Sequence, residues 1–377
     1  MKLHLPLKLR AALAACLSAV SPFVPTVASG SLAVGAAVFA LAAAPAASAD
    51  TLASDVILND GSSVSGTVAD ADGTTEYGLL TSSSGAISTD GFAITVNHGS
   101  GSLDEWAGLR VANGTNGEAF VFTGTALSGD GNLALVFVSG SYGATTYATL
   151  DFSEDSDFTG RILLIDAWNN SLTASYSGTA LENAEIVFAQ NSVDLDTDPT
   201  NYTIGGTTIA AGNNRYAYEL ELTGDASLSG VSAELPLTTT GQTPAITTTG
   251  AGDYTLTLTG GCTTNQTYVF AGNLGSESAW FNLLLTGGSQ TFSGTNYVGS
   301  VTVTGGSLVL GSGTVIAGDV SVSDGTLALT DPVFSGGSVT ISGGTISITG
   351  ELRLSEAIGC SGGAVDLSGV TVLDVSG

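Results

Sequence analysis

Three stretches of this 377-residue chain carry residue types that could do chemistry. The segment "GCSGG", Gly359 to Gly363, sets Ser361 in a Gly-x-Ser-Gly-Gly pattern that can surround a nucleophilic serine. Such a serine needs an oriented base within hydrogen-bond reach. The only histidine beyond the first residues is His98, in "VNHGSG", far away along the chain. The second stretch, "SVDLDTDPTN", spaces Asp194, Asp196 and Asp198 at alternate positions. On a strand or loop, carboxylates so spaced face one side and could hold a calcium ion. A helix-loop-helix calcium site is excluded, because Pro199 and Gly205 stand where that loop needs Gly and Glu. The simpler reading is a solvated acidic loop, and the same holds for the third stretch, "DFSEDSDF", 151–158.

Two enzyme classes deserve weighing against those residues. A glycan hydrolase needs two carboxyl groups roughly 5–10 Å apart. A lyase needs a basic residue in a groove. Acids are abundant and four arginines are available, but no spacing picks out a set. Trp106, Trp168 and Trp280 could stack on sugars, though each also suits a core or corner position. No catalytic residue follows from the sequence. No cofactor follows either, beyond calcium at Asp194, Asp196 and Asp198.

The elements that would position these residues can be read from composition and periodicity. The chain has 52 glycines, 43% hydrophobic residues and only 11% charged ones. It can bury a long core, yet its charge is one-sided. Lys2, Lys8 and Arg10 lie in the first ten residues. After them only Arg110, Arg161, Arg215 and Arg353 face 34 acidic residues. Such a surface repels nucleic acid and anionic membranes.

The first 49 residues read as an export signal. A basic start precedes two apolar runs, Ala11–Val20 and Ser31–Ala44, and Ala47-Ser48-Ala49 forms a small-residue cleavage site before Asp50. Each run is shorter than the ~20 residues of a membrane span. Beyond the signal only Cys262 and Cys360 remain, too few to staple the fold. They are also too far apart to pair: 98 residues is about five coils of the repeat described next, or roughly 25 Å, against the ~7 Å a disulfide spans.

That repeat decides the architecture. "VTVTGGSLVL", "VSVSDGTLAL", "VTISGGTISI" and "IGCSGGAVDL" align without gaps from 301, 320, 339 and 358. Gly306, Gly325, Gly344 and Gly363 recur every 19 residues. Within a unit, Val301 and Val303 point one way and Thr302 and Thr304 the other. Gly305-Gly306 makes a corner, Leu308 and Leu310 resume the alternation, and Val315-Ile316 forms a third short strand after "GSG". Three short strands and three corners describe one coil of a β-solenoid, whose inward face is buried only by stacking on neighbours. Ser361 then falls at an outward strand position beside Thr304, Ser323 and Ser342. Cys360 falls inward, as a small buried thiol beside Val303, Val322 and Ile341. Residues 50–300 show alternating runs such as "NLALVFV", "RILLI" and "DYTLTLTGG", and read as less regular coils of the same kind. The Thr-rich segment 236–252 reads as a loop leaving the solenoid. Were every coil near 19 residues, the chain beyond 49 would make roughly 17 of them.

The segment "LLLTGGSQTFSGTNYVGSVTVTGGSLVLGSG", 283–313, resembles the autotransporter-associated β-strand repeat of bacterial type V secretion passengers. Phe292-Ser293-Gly294, Asn296-Tyr297 and Val301–Gly311 carry the match in order, and "SDFTGRILL", 156–164, is a fainter echo. The resemblance implies an all-β, right-handed parallel β-helix, displayed at the cell surface or secreted, acting as a scaffold or adhesin. It implies a host or cell-surface glycan or protein as partner. Passengers of that family precede a C-terminal outer-membrane β-barrel translocator, whereas this sequence stops at "VLDVSG", so the chain is expected to be a fragment or a differently anchored relative. The sequence thus divides into an export signal (1–49), irregular coils (50–300) and regular 19-residue coils (301–377). The alternative to a scaffold is a glycan-active β-helix enzyme.

Overall fold

The computed structural model describes residues 50–375 except 53–54, 60–63, 66–67, 70–74, 77–78, 83–85, 89–92, 99–106, 114–119, 139–144, 167–170, 189–200, 205–206, 211–214, 234–242, 264–266 and 355–357. The export segment 1–49 lies outside the described residues, as do Asp194, Asp196, Asp198, Trp106 and Trp168.

The described residues form a right-handed parallel β-helix without a helical element. Most strands pair with those one coil before and one coil after, almost always in parallel. One inward ladder shows the construction. Leu109 pairs with Leu135, Leu135 with Leu164 and Leu164 with Phe188. The line continues through Ala233, Phe270, Phe292, Leu310, Leu329 and Ile348. Every one of these side chains is buried. Alternation forces this arrangement. With a period of two, the apolar residues of "SLVL" or "TLAL" all face inward, and in-register stacking sets like on like. A fully buried Leu contributes about 1.5–3 kcal/mol relative to exposure, and the ladder repeats that contribution coil after coil.

The regular coils follow the expected three-strand plan. Val320–Val322, Thr326–Thr330 and Val333–Phe334 make one coil, paired with Val339–Ile341 and Thr345–Leu354 in the next. The corner glycines are required twice over. Gly306, Gly325, Gly344 and Gly363 have φ of 75°, 75°, 65° and 73°, in the left-handed region that favours glycine. A Cβ at Gly306 would also stand 2.3 Å from the carbonyl oxygen of Gly288, one coil away.

The described residues between 50 and 300 belong to the same helix, and several of their coils take more than 19 residues. Bonds between neighbouring coils join Ser175 to Thr149 across 26 residues, Thr247 to Glu219 across 28, and Ser232 to Glu185 across 47. The condition behind a figure of about 17 coils, 19 residues in every coil, is therefore not met among the described residues. The strand Tyr297–Val303 carries the ladder unbroken through position 300. Part of the Thr-rich segment expected to leave the solenoid stays in it: Ala245–Thr248 pairs with Glu219–Leu222 on one side and reaches Leu274 on the other. Antiparallel pairing is confined to short pieces, such as Asn201–Ile204 with Thr207–Ala210.

Thr349 pairs with Thr330 and Arg353 with Val333, so the later coil carries one residue more between those two rungs. One detail corrects the sequence reading. Cys360 occupies the expected rung opposite Ile341 but is exposed, not buried. Its strand, Ile358–Cys360, is covered by a neighbouring coil on one side only, so inward register there does not bring burial.

Candidate functional site

The serine motif is a corner. Ser361 is exposed, and its N–H donates to Ile341 O at 2.9 Å as part of the coil-to-coil ladder. The Cys360 thiol donates to Gly362 O at 3.2 Å. His98 lies at the opposite part of the ladder, where its backbone N–H donates to Asp130 Oδ1 at 3.1 Å. Among the described residues the motif and the histidine are not brought together: Ser361 bonds to the coil of Ile341, His98 to that of Asp130.

The acidic stretch 151–158 is a solvent-facing turn. Phe152 and Phe158 are buried and anchor its ends. Asp151, Glu154, Asp155 and Asp157 are exposed, and Glu154 accepts a bond from Thr179 Oγ1 at 2.5 Å. Among the described residues no three acidic, His or Cys side chains are placed to hold a metal ion.

The acids have a structural use that the sequence reading missed. Aspartate and asparagine oxygens at corners accept strand N–H groups from the adjoining coil. Asp225 takes Thr255 N at 2.8 Å, Asn273 takes Thr295 N at 3.1 Å, and Asp331 takes Glu351 N at 2.8 Å. Asn282 and Asp319 occupy matching corners: each accepts both the N–H and the hydroxyl of a serine one coil on, Ser300 and Ser338 respectively. The Ser338 N–H, aided by its hydroxyl, holds the Asp319 carboxyl below its usual range. Recurrence at one coil's separation was the available signal, obscured by unequal coil lengths.

A second missed feature is a buried polar seam. Glu185 has 0% exposure in the fully buried strand Glu185–Phe188. Arg161 pairs with it at 3.1 Å, and Ser232 donates its hydroxyl to the other carboxylate oxygen. One coil further, Ser229 Oγ lies 2.5 Å from the Tyr268 hydroxyl and accepts the Cys262 N–H at 2.6 Å. Gly230 makes room for the Tyr268 ring; a Cβ there would lie 2.4 Å from the ring. The outward face is covered because residues 259–263 fold back over earlier coils: Thr259 Oγ1 donates to Glu182 O and Cys262 Sγ to Gly160 O. Burial pushes the Tyr268 hydroxyl up to about 12, against the opposing bond from Ser229. A charge in the apolar run "AEIVFA" was the readable sign, since a buried carboxylate demands a partner.

A solvent-facing groove lies on the outer side of the third-strand ladder. It has a volume of about 320 Å³ and is lined by Glu277, Trp280, Tyr297, Val298, Val315, Ala317 and Ser335. A tight turn builds one wall. Gly275 has φ 57°, and Ser276 N donates to Ala279 O at 2.7 Å, which fixes Glu277 at the turn's tip. Trp280 O accepts Gly252 N at 2.6 Å, anchoring the backbone beneath the indole. Gly299 lets the indole approach the strand: a Cβ there would lie 3.2 Å from Trp280 Cδ1. Tyr297 pairs with Val315, and Val315 with Val333, so the floor is a ladder of outward residues. The Tyr297 hydroxyl donates to Glu277 Oε1 at 3.4 Å. Of the three tryptophans weighed from the sequence, Trp280 is thus a half-buried groove wall and not a core filler.

The chain matches no protein-family model, no curated protein and no solved structure.

Proposed function

We propose that this chain is an exported β-solenoid scaffold, a passenger-like surface protein that binds through its outer face and carries no catalytic site. The continuous inward ladder from Leu109 to Ile348 is the observation that carries this reading. A fold assembled from coil-to-coil pairing can form after transport without disulfide chemistry. The N-terminal segment ending at Ala47-Ser48-Ala49 supplies the export signal, and an outer-membrane β-barrel is the translocator such a passenger would use. The competing glycan-hydrolase reading needs two carboxyl groups facing one cleft, whereas the groove presents one, Glu277.

The test is expression of the whole chain in a host with an outer membrane, followed by fractionation and N-terminal mass analysis. The expected result is an exported species beginning at Asp50. A cytosolic protein retaining residues 1–49 overturns the reading.

A further inference from the structure

We propose that the groove between Trp280 and Tyr297 binds a quaternary ammonium group, with Glu277 as its counter-charge. The argument rests on three features. The first is the pair of aromatic side chains: Trp280 and Tyr297 both line the groove and both are part-exposed there. A cation over a tryptophan or tyrosine face is attracted by the ring quadrupole, by about 0.5–1 kcal/mol at an exposed site. The second is charge. The groove is lined by one carboxylate and no basic residue, on a chain of net charge −27. That field concentrates cations near the surface and repels anionic ligands. The third is the apolar floor. Val315 and Ala317 supply its part-exposed side chains, which offer no hydrogen-bond acceptor. A primary ammonium carries three N–H donors that need partners, and burying them unmet is costly. A quaternary ammonium has none, and its methyl groups suit an apolar floor.

The turn at Ser276–Ala279 and the Tyr297–Glu277 bond hold the site before a ligand arrives, which reduces the ordering cost of binding. At about 320 Å³ the groove lies at the small end of ligand sites, which run roughly 300–1,000 Å³. It admits the ammonium head together with part of the substituent that carries it.

The scaffold reading does not depend on this proposal, and the two fail separately, since export is read by fractionation and this site by titration. The experiment titrates the purified whole chain with choline chloride, following tryptophan fluorescence, beside its uncharged carbon isostere 3,3-dimethylbutan-1-ol. Saturable quenching by choline that is absent in Trp280→Phe and weaker for the isostere is expected. Glu277→Gln, at an exposed turn tip that leaves the ladder intact, should weaken choline binding roughly two- to fivefold. Added salt should weaken it too. Equal binding of choline and its isostere, methylammonium binding as tightly as tetramethylammonium, or quenching by a neutral disaccharide without any by choline would each overturn the proposal.

Discussion

Two thiols on one chain illustrate how little residue type alone decides. Cys262 is buried, its backbone N–H held by Ser229 and its sulfur against Gly160 O. Cys360 shares a ladder with Ile341 yet faces solvent. Thiol reagents should therefore label Cys360 within the folded protein and Cys262 only on unfolding. Peptide mapping of the labelled protein checks this, and mapping without reductant should find no Cys262–Cys360 crosslink. Tyr268 makes the alkaline counterpart. Its hydroxyl titrates near 10.0 when free and about 12 when folded, because burial disfavours the phenolate. A raised folded value means that its contribution is complete below about pH 10 and is lost as pH climbs towards 12. Tyr176 is shifted upward too, also by burial; its hydroxyl accepts Leu181 N and lies 3.0 and 3.1 Å from the carbonyls of Gly178 and Ser227. Stability should consequently fall through that alkaline window. Tyr268→Phe should flatten part of the fall, at about 1–2 kcal/mol of stability near neutrality for the lost bond to Ser229. Denaturant melts at several pH values provide the measurement.

At the scale of elements, corners and strand faces do different work. Asp319 and Asn282 make the same two bonds to a serine one coil away, one with a charged acceptor and one with a neutral acceptor. The Asp319 value is depressed in the folded state, so its contribution is present above the free value of 3.8 and is lost as pH falls through the lower folded one. Asp319→Asn should keep the corner and remove that acid dependence, while Asp319→Ala should destabilise at all pH values. Thermal melts of the three proteins from neutral pH down through pH 3 separate the cases. Strand faces are tested by a pair of substitutions on adjoining ladders. Leu327 is completely buried between Leu308 and Ile346, whereas Thr302 is outward and half-exposed. Leu327→Asp should cost more than about 3 kcal/mol, by burying an unpaired charge. Thr302→Asp should cost less than about 0.5 kcal/mol, as surface changes do. Equal shifts on melting would show that the facing is misassigned.

The described coils form a one-dimensional stack, and its stability should be distributed accordingly. Interior coils have neighbours on both sides. The strand Ala364–Val375 pairs with Thr345–Leu354 alone, and Val372 and Leu373 are exposed. The middle of the stack holds a further reinforcement. Ala233, between Phe188 and Phe270, is small enough for the two rings to meet edge to face with centroids 5.2 Å apart, and Phe270 meets Phe292 at 6.0 Å. Such pairs add about 0.5–1.5 kcal/mol each beyond burial. Backbone hydrogen exchange should thus be slowest in Phe281–Leu285 and Ser289–Phe292 and fastest in Ala364–Val375. Exchange followed by mass spectrometry reads this order, and uniform protection would mean that the chain opens as one unit.

The division between what was legible and what was not follows from range. Local alternation and the 19-residue glycine period exposed strand facing, the corners and the parallel stack from Val301 onward, because each depends on residues a few positions apart and on identical spacing between coils. Glycine at 306, 325, 344 and 363 could be read from sequence because a left-handed corner tolerates little else. Folding alone set which coils grew to 26 or 47 residues, since a longer perimeter leaves the inward pattern of each strand unchanged. It alone brought Arg161, Glu185 and Ser232 together, closed residues 259–263 over Gly160, and set Glu277, Trp280 and Tyr297 around one groove. Those contacts join residues that share no period, and only the stacking of unequal coils puts them side by side. Cys360 marks the limit from the other direction: its facing was readable, but burial also requires a coil on each side, a property of the stack and not of the strand.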